Sequence, residues 1–164
     1  MKKIIKTISC LMLVFIVGFS SSALAESPVT KTPQIREFME KSSKLSTEYS
    51  QSKEEHNNNL QDLLNKIDDE GMGEEEFNKL ALEEYQRFLK IQTEVLNKFK
   101  SLKVPPSPQL TEIHELKIKA IEESIQVTKS KIAKDFVATM LHEAKSAELT
   151  DEWMEKAKEY ELKK

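Results

Sequence analysis

Three histidines, His56, His114 and His142, and six acids between residues 68 and 76 are the side chains of this 164-residue chain whose types could do chemistry. A di-metal centre in a helical protein needs inward glutamates and a Glu-x-x-His pair on each of two helices, so that both ligands share a face. Three residues before the histidines stand Lys53, Thr111 and Thr139, none of them an acid. No two histidines stand close enough to make a zinc motif. The acids surround Gly71 and Gly73 and invite calcium, but the register refuses it. With Gly71 as the sixth residue of a calcium loop, the loop would begin at Lys66 and end at Phe77; with Gly73 there, it would begin at Asp68 and end at Lys79. The closing bidentate carboxylate is missing either way. The reading is a solvated turn whose acids suit the N-terminus of the next helix, with weak divalent-cation binding around Gly71 as the alternative.

Covalent chemistry has even less to work with. The sequence has no glycine-flanked serine elbow, no Gly-rich phosphate loop, and a single cysteine, Cys10. No catalytic residue, metal or cofactor is expected, and the chain is read as a non-enzyme.

Cys10 falls inside a stretch with the three parts of a Sec signal: Lys2, Lys3 and Lys6, an apolar run over residues 11–19, and small residues ending Ala23-Leu24-Ala25. That run is about half of the ~20 residues a bilayer-spanning helix needs. Cleavage after Ala25, with Ala23 and Ala25 as the recognised positions, leaves a product that begins at Glu26, has no thiol, and has no membrane-spanning segment. The expected location is extracellular or cell-wall-associated. Three of the 25 Lys and Arg and none of the 28 Asp and Glu precede Glu26, so the product carries 22 basic residues against 28 acidic ones, a net charge of −6. Such a balance gives no general attraction to nucleic acid or anionic headgroups.

The elements that would carry these side chains are marked by glycine and proline, each costly inside a helix and useful at its ends. After the signal they occur only at Pro28, Pro33, Gly71, Gly73, Pro105, Pro106 and Pro108. Thr32 and Pro33 read as N-cap and first helical residue. The helix they open runs to about Asp69 with an inward stripe of Ile35, Met39, Ser42, Ser46, Tyr49, Lys53, His56, Leu60, Leu63 and Ile67. Asn57, Asn58 and Asn59 are poor helix formers and suggest a kink there. A second helix runs from about Glu74 to Lys103, with Phe88, Val95 and Phe99 on its apolar side. A third begins at Ser107 and Pro108 and carries Leu110, Ile121, Ile125, Ile132, Phe136 and Met140 inward. Thr150, followed by two acids, reads as the N-cap of a short fourth helix holding Trp153 and Tyr160. Nothing alternates like a strand. Short turns force antiparallel neighbours. The expected fold is all-α: an elongated antiparallel three-helix bundle over residues 33–164 with a short C-terminal helix, preceded by a flexible lead at residues 26–32.

The first stripe is polar in its middle. An under-filled seam is completed by another chain or stays loose, so Ser42, Ser46, Tyr49, Lys53 and His56 are the candidate partner face. Trp153 and Tyr160 are candidates for an exposed anchor. Six acids at the first turn, against Lys98, Lys100, Lys103, Lys31, Arg36, Lys41 and Lys44 at the opposite end, suggest oppositely charged tips that favour orientation of a partner or self-association.

The run Leu102-Lys103-Val104-Pro105-Pro106, followed by Ile113-His114, resembles the link between two long helices in small exported helical proteins of Bacillus-type bacteria that contain domains of unknown function. Many of those are lipoproteins. This chain lacks their cysteine after the signal, so the resemblance does not imply a lipid tether. Leu110-Thr111-Glu112-Ile113 and Leu149-Thr150-Asp151-Glu152 are similar to the start of the Leu-Thr-x-x-Gln repeats of periplasmic helical envelope-stress chaperones, with His114 and Trp153 where those have Gln. The reading is therefore a secreted or wall-associated interaction protein whose partner is a protein or envelope component. The alternative is an exported chaperone-like or apolar-ligand-binding module.

Overall fold

The computed structural model of the chain describes residues 32–69 and 71–162. The expected signal with Ala23 and Ala25, and residues 26–31 of the expected lead, lie outside the described residues.

Four helices of comparable length make up the described residues, with no strand among them: α1 Pro33–Asp69, α2 Glu74–Lys100, α3 Pro108–Ile132 and α4 Phe136–Leu162. Three of the boundaries follow from local chemistry. The hydroxyl of Thr32 accepts from the Ile35 amide at 3.3 Å, with Pro33 opening the helix behind it. Ser107 does the same for Leu110 at 3.4 Å, with Pro108 in the first turn. Between α1 and α2, Gly71 holds φ at 71°, a left-handed conformation that favours glycine, and Glu74, Glu75 and Glu76 then fill the first turn of α2. Asn57, Asn58 and Asn59 do not break α1, which is helical through 37 residues.

The expected short C-terminal helix is corrected. The third helix stops at Ile132, and α4 is a full 27 residues long. The break is a Schellman ending in which Lys134, rather than a glycine, takes the left-handed residue with φ 57°. The Asp135 amide reaches the Ser130 carbonyl at 2.9 Å and the Lys134 amide reaches that of Lys131 at 3.1 Å. Asp135 then caps α4 by accepting from the Ala138 amide at 2.9 Å. Thr150 caps nothing. It lies inside α4, with its hydroxyl bonded back to the Ser146 carbonyl.

Sequential helices pack side by side, α1 on α2, α2 on α3 and α3 on α4, each pair antiparallel. One core cluster joins Val95, Leu96 and Phe99 of α2 to Ile121 and Ile125 of α3, with Leu45 and Tyr49 of α1 against it. A second, at the end where α1 begins and α4 finishes, joins Phe38, Leu110 and Tyr160. Phe99 and Leu110 are wholly buried, and burying such a side chain contributes about 1.5–3 kcal/mol. No helix among the described residues is long and apolar enough to cross a membrane.

Candidate functional site

The polar middle of α1 is where a partner was expected, and the chain itself fills most of it. Tyr49 donates its hydroxyl to Ser124 on α3 at 2.8 Å, and Gln92 of α2 donates its amide to Ser124 at 3.0 Å and to Tyr49 at 3.3 Å. This triangle ties three helices at one level. Burial pushes the Tyr49 hydroxyl pKa up despite its hydrogen bonds with Ser124 and Gln92. Gln92 is fully buried, and its Oε1 has no hydrogen-bond partner. One spare acceptor is thus left in the core.

Two turns further along α1, His56 stacks on Phe88 of α2, with ring centroids 4.2 Å apart and planes 6° apart. Its Nδ1 is 2.8 Å from Glu84, a carboxylate that also takes two bonds from Arg87 and one from Asn59. Arg87 in turn reaches Glu55 at 3.2 Å. Burial raises the Glu84 carboxyl, and the bonds from Arg87, His56 and Asn59 more than reverse this, holding it below the ordinary carboxylate value. Burial also lowers the pKa of His56, and the pull of Glu84 only partly offsets it. The cluster is a chain of charge-assisted bonds that close on one another.

Of the five residues of the candidate partner face, Tyr49 and His56 are therefore turned inward and engaged, Ser42 and Ser46 are half-buried, and Lys53 is exposed. The expected exposed anchor is corrected at Tyr160. Tyr160 is 4% exposed in the end cluster, and Trp153 is half-buried under the ammonium of Lys117, which stands 3.8 Å from its ring centroid. Burial, with Lys53 nearby, lowers the Lys117 pKa to about 8. His114 lies between Phe38 and Phe99 with its Nδ1 buried and without a partner. Burial lowers its pKa. His142 pairs with Glu123 at 2.7 Å, and Glu123 also holds Lys145 at 2.7 Å.

No group of three or more metal-ligating side chains comes together among the described residues; the side chains of Asp68, Asp69 and Glu70 in the acidic turn lie outside the described ones. A groove of about 330 Å³ lies between α1 and α2. Glu48, Gln51, Ser52 and Glu55 on its α1 wall make it polar.

The residues that sequence reasoning misplaced are apolar ones. Phe136 and Met140, expected inward as a continuation of the α3 stripe, are 67% and 68% exposed. The Schellman turn resets the phase of the helix between Ile132 and Phe136, so the stripe does not continue. Val137 and Leu141 are 70% and 65% exposed beside them. Only Leu82 joins these four as a large apolar side chain left out in the open among the described residues. The inner face of α4 is carried by other residues, among them His142, Ser146, Trp153 and Tyr160. Gln92 was missed as well. It sits on the apolar side of α2, between Phe88 and Val95 at spacings of four and three, and that spacing is the signal by which it could be found.

Comparison with known proteins is negative throughout: no family model, curated protein or solved structure matches the chain.

Proposed function

We propose that the chain is an exported, non-enzymatic interaction protein, secreted or held at the cell wall, that works by binding a protein surface through the outer face of α4. The supporting observation is the cluster of Phe136, Val137, Met140 and Leu141, each about two-thirds exposed, on a helix whose opposite side already packs against α3. Contiguous exposed apolar patches on soluble proteins mark interaction sites. The case for export rests on Lys2, Lys3 and Lys6, the apolar run and Ala23-Leu24-Ala25. The case for a non-catalytic role rests on how the buried polar groups are used: Tyr49, Gln92, Ser124, His56 and Glu84 bond mainly to one another.

The test is photo-crosslinking in the producing cell from a labelled Met140→Cys variant, with Lys66→Cys on an exposed part of α1 as the control. Adducts to protein from position 140 and none from position 66 are expected. Equal adducts from both positions, or none from either, would discard α4 as the binding face.

A second reading has the same patch holding unfolded chains, as a chaperone would. Under it, the purified chain suppresses aggregation of a denatured enzyme, and Met140→Glu removes that effect. The polar groove between α1 and α2 gives little support to a carrier of apolar small molecules.

A further inference from the structure

We propose that the protein surface met by the outer face of α4 is the same face of a second copy, paired antiparallel about a two-fold axis at the level of Met140 and Leu141. This rests on the reading of that face as an interaction surface and names its occupant. Successive helical positions turn by about 100°, so Val137, Met140, Leu141 and Ala144 lie along one line of α4 that continues into Glu148 and Asp151. All six are exposed. The line is apolar in its first half and acidic in its second.

A two-fold interface must be self-complementary: each residue meets its counterpart's neighbour in reverse order. An axis between positions 140 and 141 sets Val137 of one copy against Ala144 of the other, with Met140 and Leu141 at the centre. At ~1.5 Å per residue, Lys134 and Glu148 lie about 10 Å from that axis on opposite sides. The antiparallel pairing therefore brings Glu148 of each copy to the Schellman turn of the other, where Lys134 stands exposed. Neither residue forms an ion pair within the described residues. Two apolar halves meet at the centre, and two complementary charge pairs flank them.

Charge also argues against the other occupants. A parallel pairing would set Glu148 against Glu148. An anionic lipid surface under the same face would meet Glu148, Asp151, Glu152 and Glu155 along the second half of α4, all exposed. A partner that is apolar opposite the start of α4 and offers a cation opposite Glu148 fits this line, and this chain, reversed, is such a partner through Lys134, whose neighbour Asp135 turns its carboxylate to the Ala138 amide of its own helix.

Sedimentation equilibrium of residues 26–164 tests the proposal. A reversible monomer–dimer equilibrium is expected between about 1 and 100 μM, the range of ordinary reversible association. Met140→Glu, at a position exposed in the monomer and so without effect on its helix content, raises the dimer Kd at least tenfold. Lys134→Glu and Glu148→Lys each weaken the dimer, and the double exchange restores it. Oxidised Met140→Cys, the only cysteine after Cys10, forms a disulfide-linked dimer. A monomer at every concentration, a dimer indifferent to Met140→Glu, or an exchange that fails to restore association overturns the proposal. Vesicles of phosphatidylcholine with and without phosphatidylglycerol form a further arm. A monomer that pellets with them, and loses this on Met140→Glu, replaces the second copy with a lipid surface. A monomer that still crosslinks to another protein from position 140 leaves the binding face standing and removes only the dimer. A monomer with no adduct removes both.

Discussion

The middle of the bundle and the start of α4 invert the usual arrangement in opposite senses. Around Tyr49, Gln92, Ser124 and His56, polar side chains lie inside, while at Phe136, Val137, Met140 and Leu141 apolar side chains lie outside. Apart from the Gln92 Oε1, the polar groups around that level bond to one another: Ser124 serves Tyr49 and Gln92, and Glu84 serves His56, Arg87 and Asn59. Such groups are costly unless paired, so they fix which residues of three helices stand level with one another. The apolar exterior has nothing of the kind. Its side chains contribute little to the fold of one chain and are free to contribute to an assembly.

The contrast predicts that substitutions inside cost stability and substitutions outside do not. The largest effect is expected for Tyr49→Ala, which removes a ring packed against the central cluster together with its hydrogen bonds: about 3–5 kcal/mol by chemical denaturation. Tyr49→Phe should recover all but about 1–2 kcal/mol, the cost of leaving Ser124 and Gln92 without the hydroxyl. A loss from Tyr49→Ala below 1 kcal/mol, about the scale of an ordinary surface change, would mean that the middle of α1 is not closed as described.

Acid should act next, and again on the interior. Burial lowers the pKa of both His56 and His114 in the folded state. His56 faces Glu84, Arg87 and Lys131, whereas His114 faces Glu115 and the Phe99 backbone. The unfolded chain, with histidines near about 6.5, therefore binds protons first as pH falls. Stability is complete above that value and is lost as pH drops through it. Glu84 and Glu123, both held below the ordinary carboxylate value of 4.5, add their own loss only at lower pH. The melting temperature should fall between pH 7 and pH 5, and His114→Phe should flatten the slope. A flat profile in the unsubstituted chain would show that the histidines are not buried and neutral.

The smallest effect belongs outside. Phe136→Ser, measured on dilute monomer, should change stability by no more than about 0.5 kcal/mol. A loss of 2 kcal/mol would place the ring in the core of a single chain and erase the contrast.

How much of this was legible in the sequence differs from helix to helix. The starts of α1 and α3 were readable at Thr32-Pro33 and Ser107-Pro108, because a cap is a contact between a side chain and an amide three residues on. The end of α3 was not. Lysine carries no signal for a left-handed residue, and Lys134 adopts it only because the Ser130 and Lys131 carbonyls are satisfied there and α4 gains its packing on α3. That one turn moved Phe136 and Met140 from an expected core to the surface. It also made Thr150, read as a cap, an interior residue of α4.

The sequence by itself determined the all-helical character of the described residues, most of their helix limits and the apolar side of α2, since these depend on neighbours three or four residues apart. The tertiary structure alone decided that Tyr49 and His56 bond to Ser124 and Glu84 on neighbouring helices, that Tyr160 is buried rather than exposed, and that the start of α4 faces outward. Each of those depends on which helix lies alongside which, and at what level. Such contacts join residues far apart in the chain, Tyr49 with Ser124 and Phe38 with Tyr160, and periodicity along one helix carries no record of them.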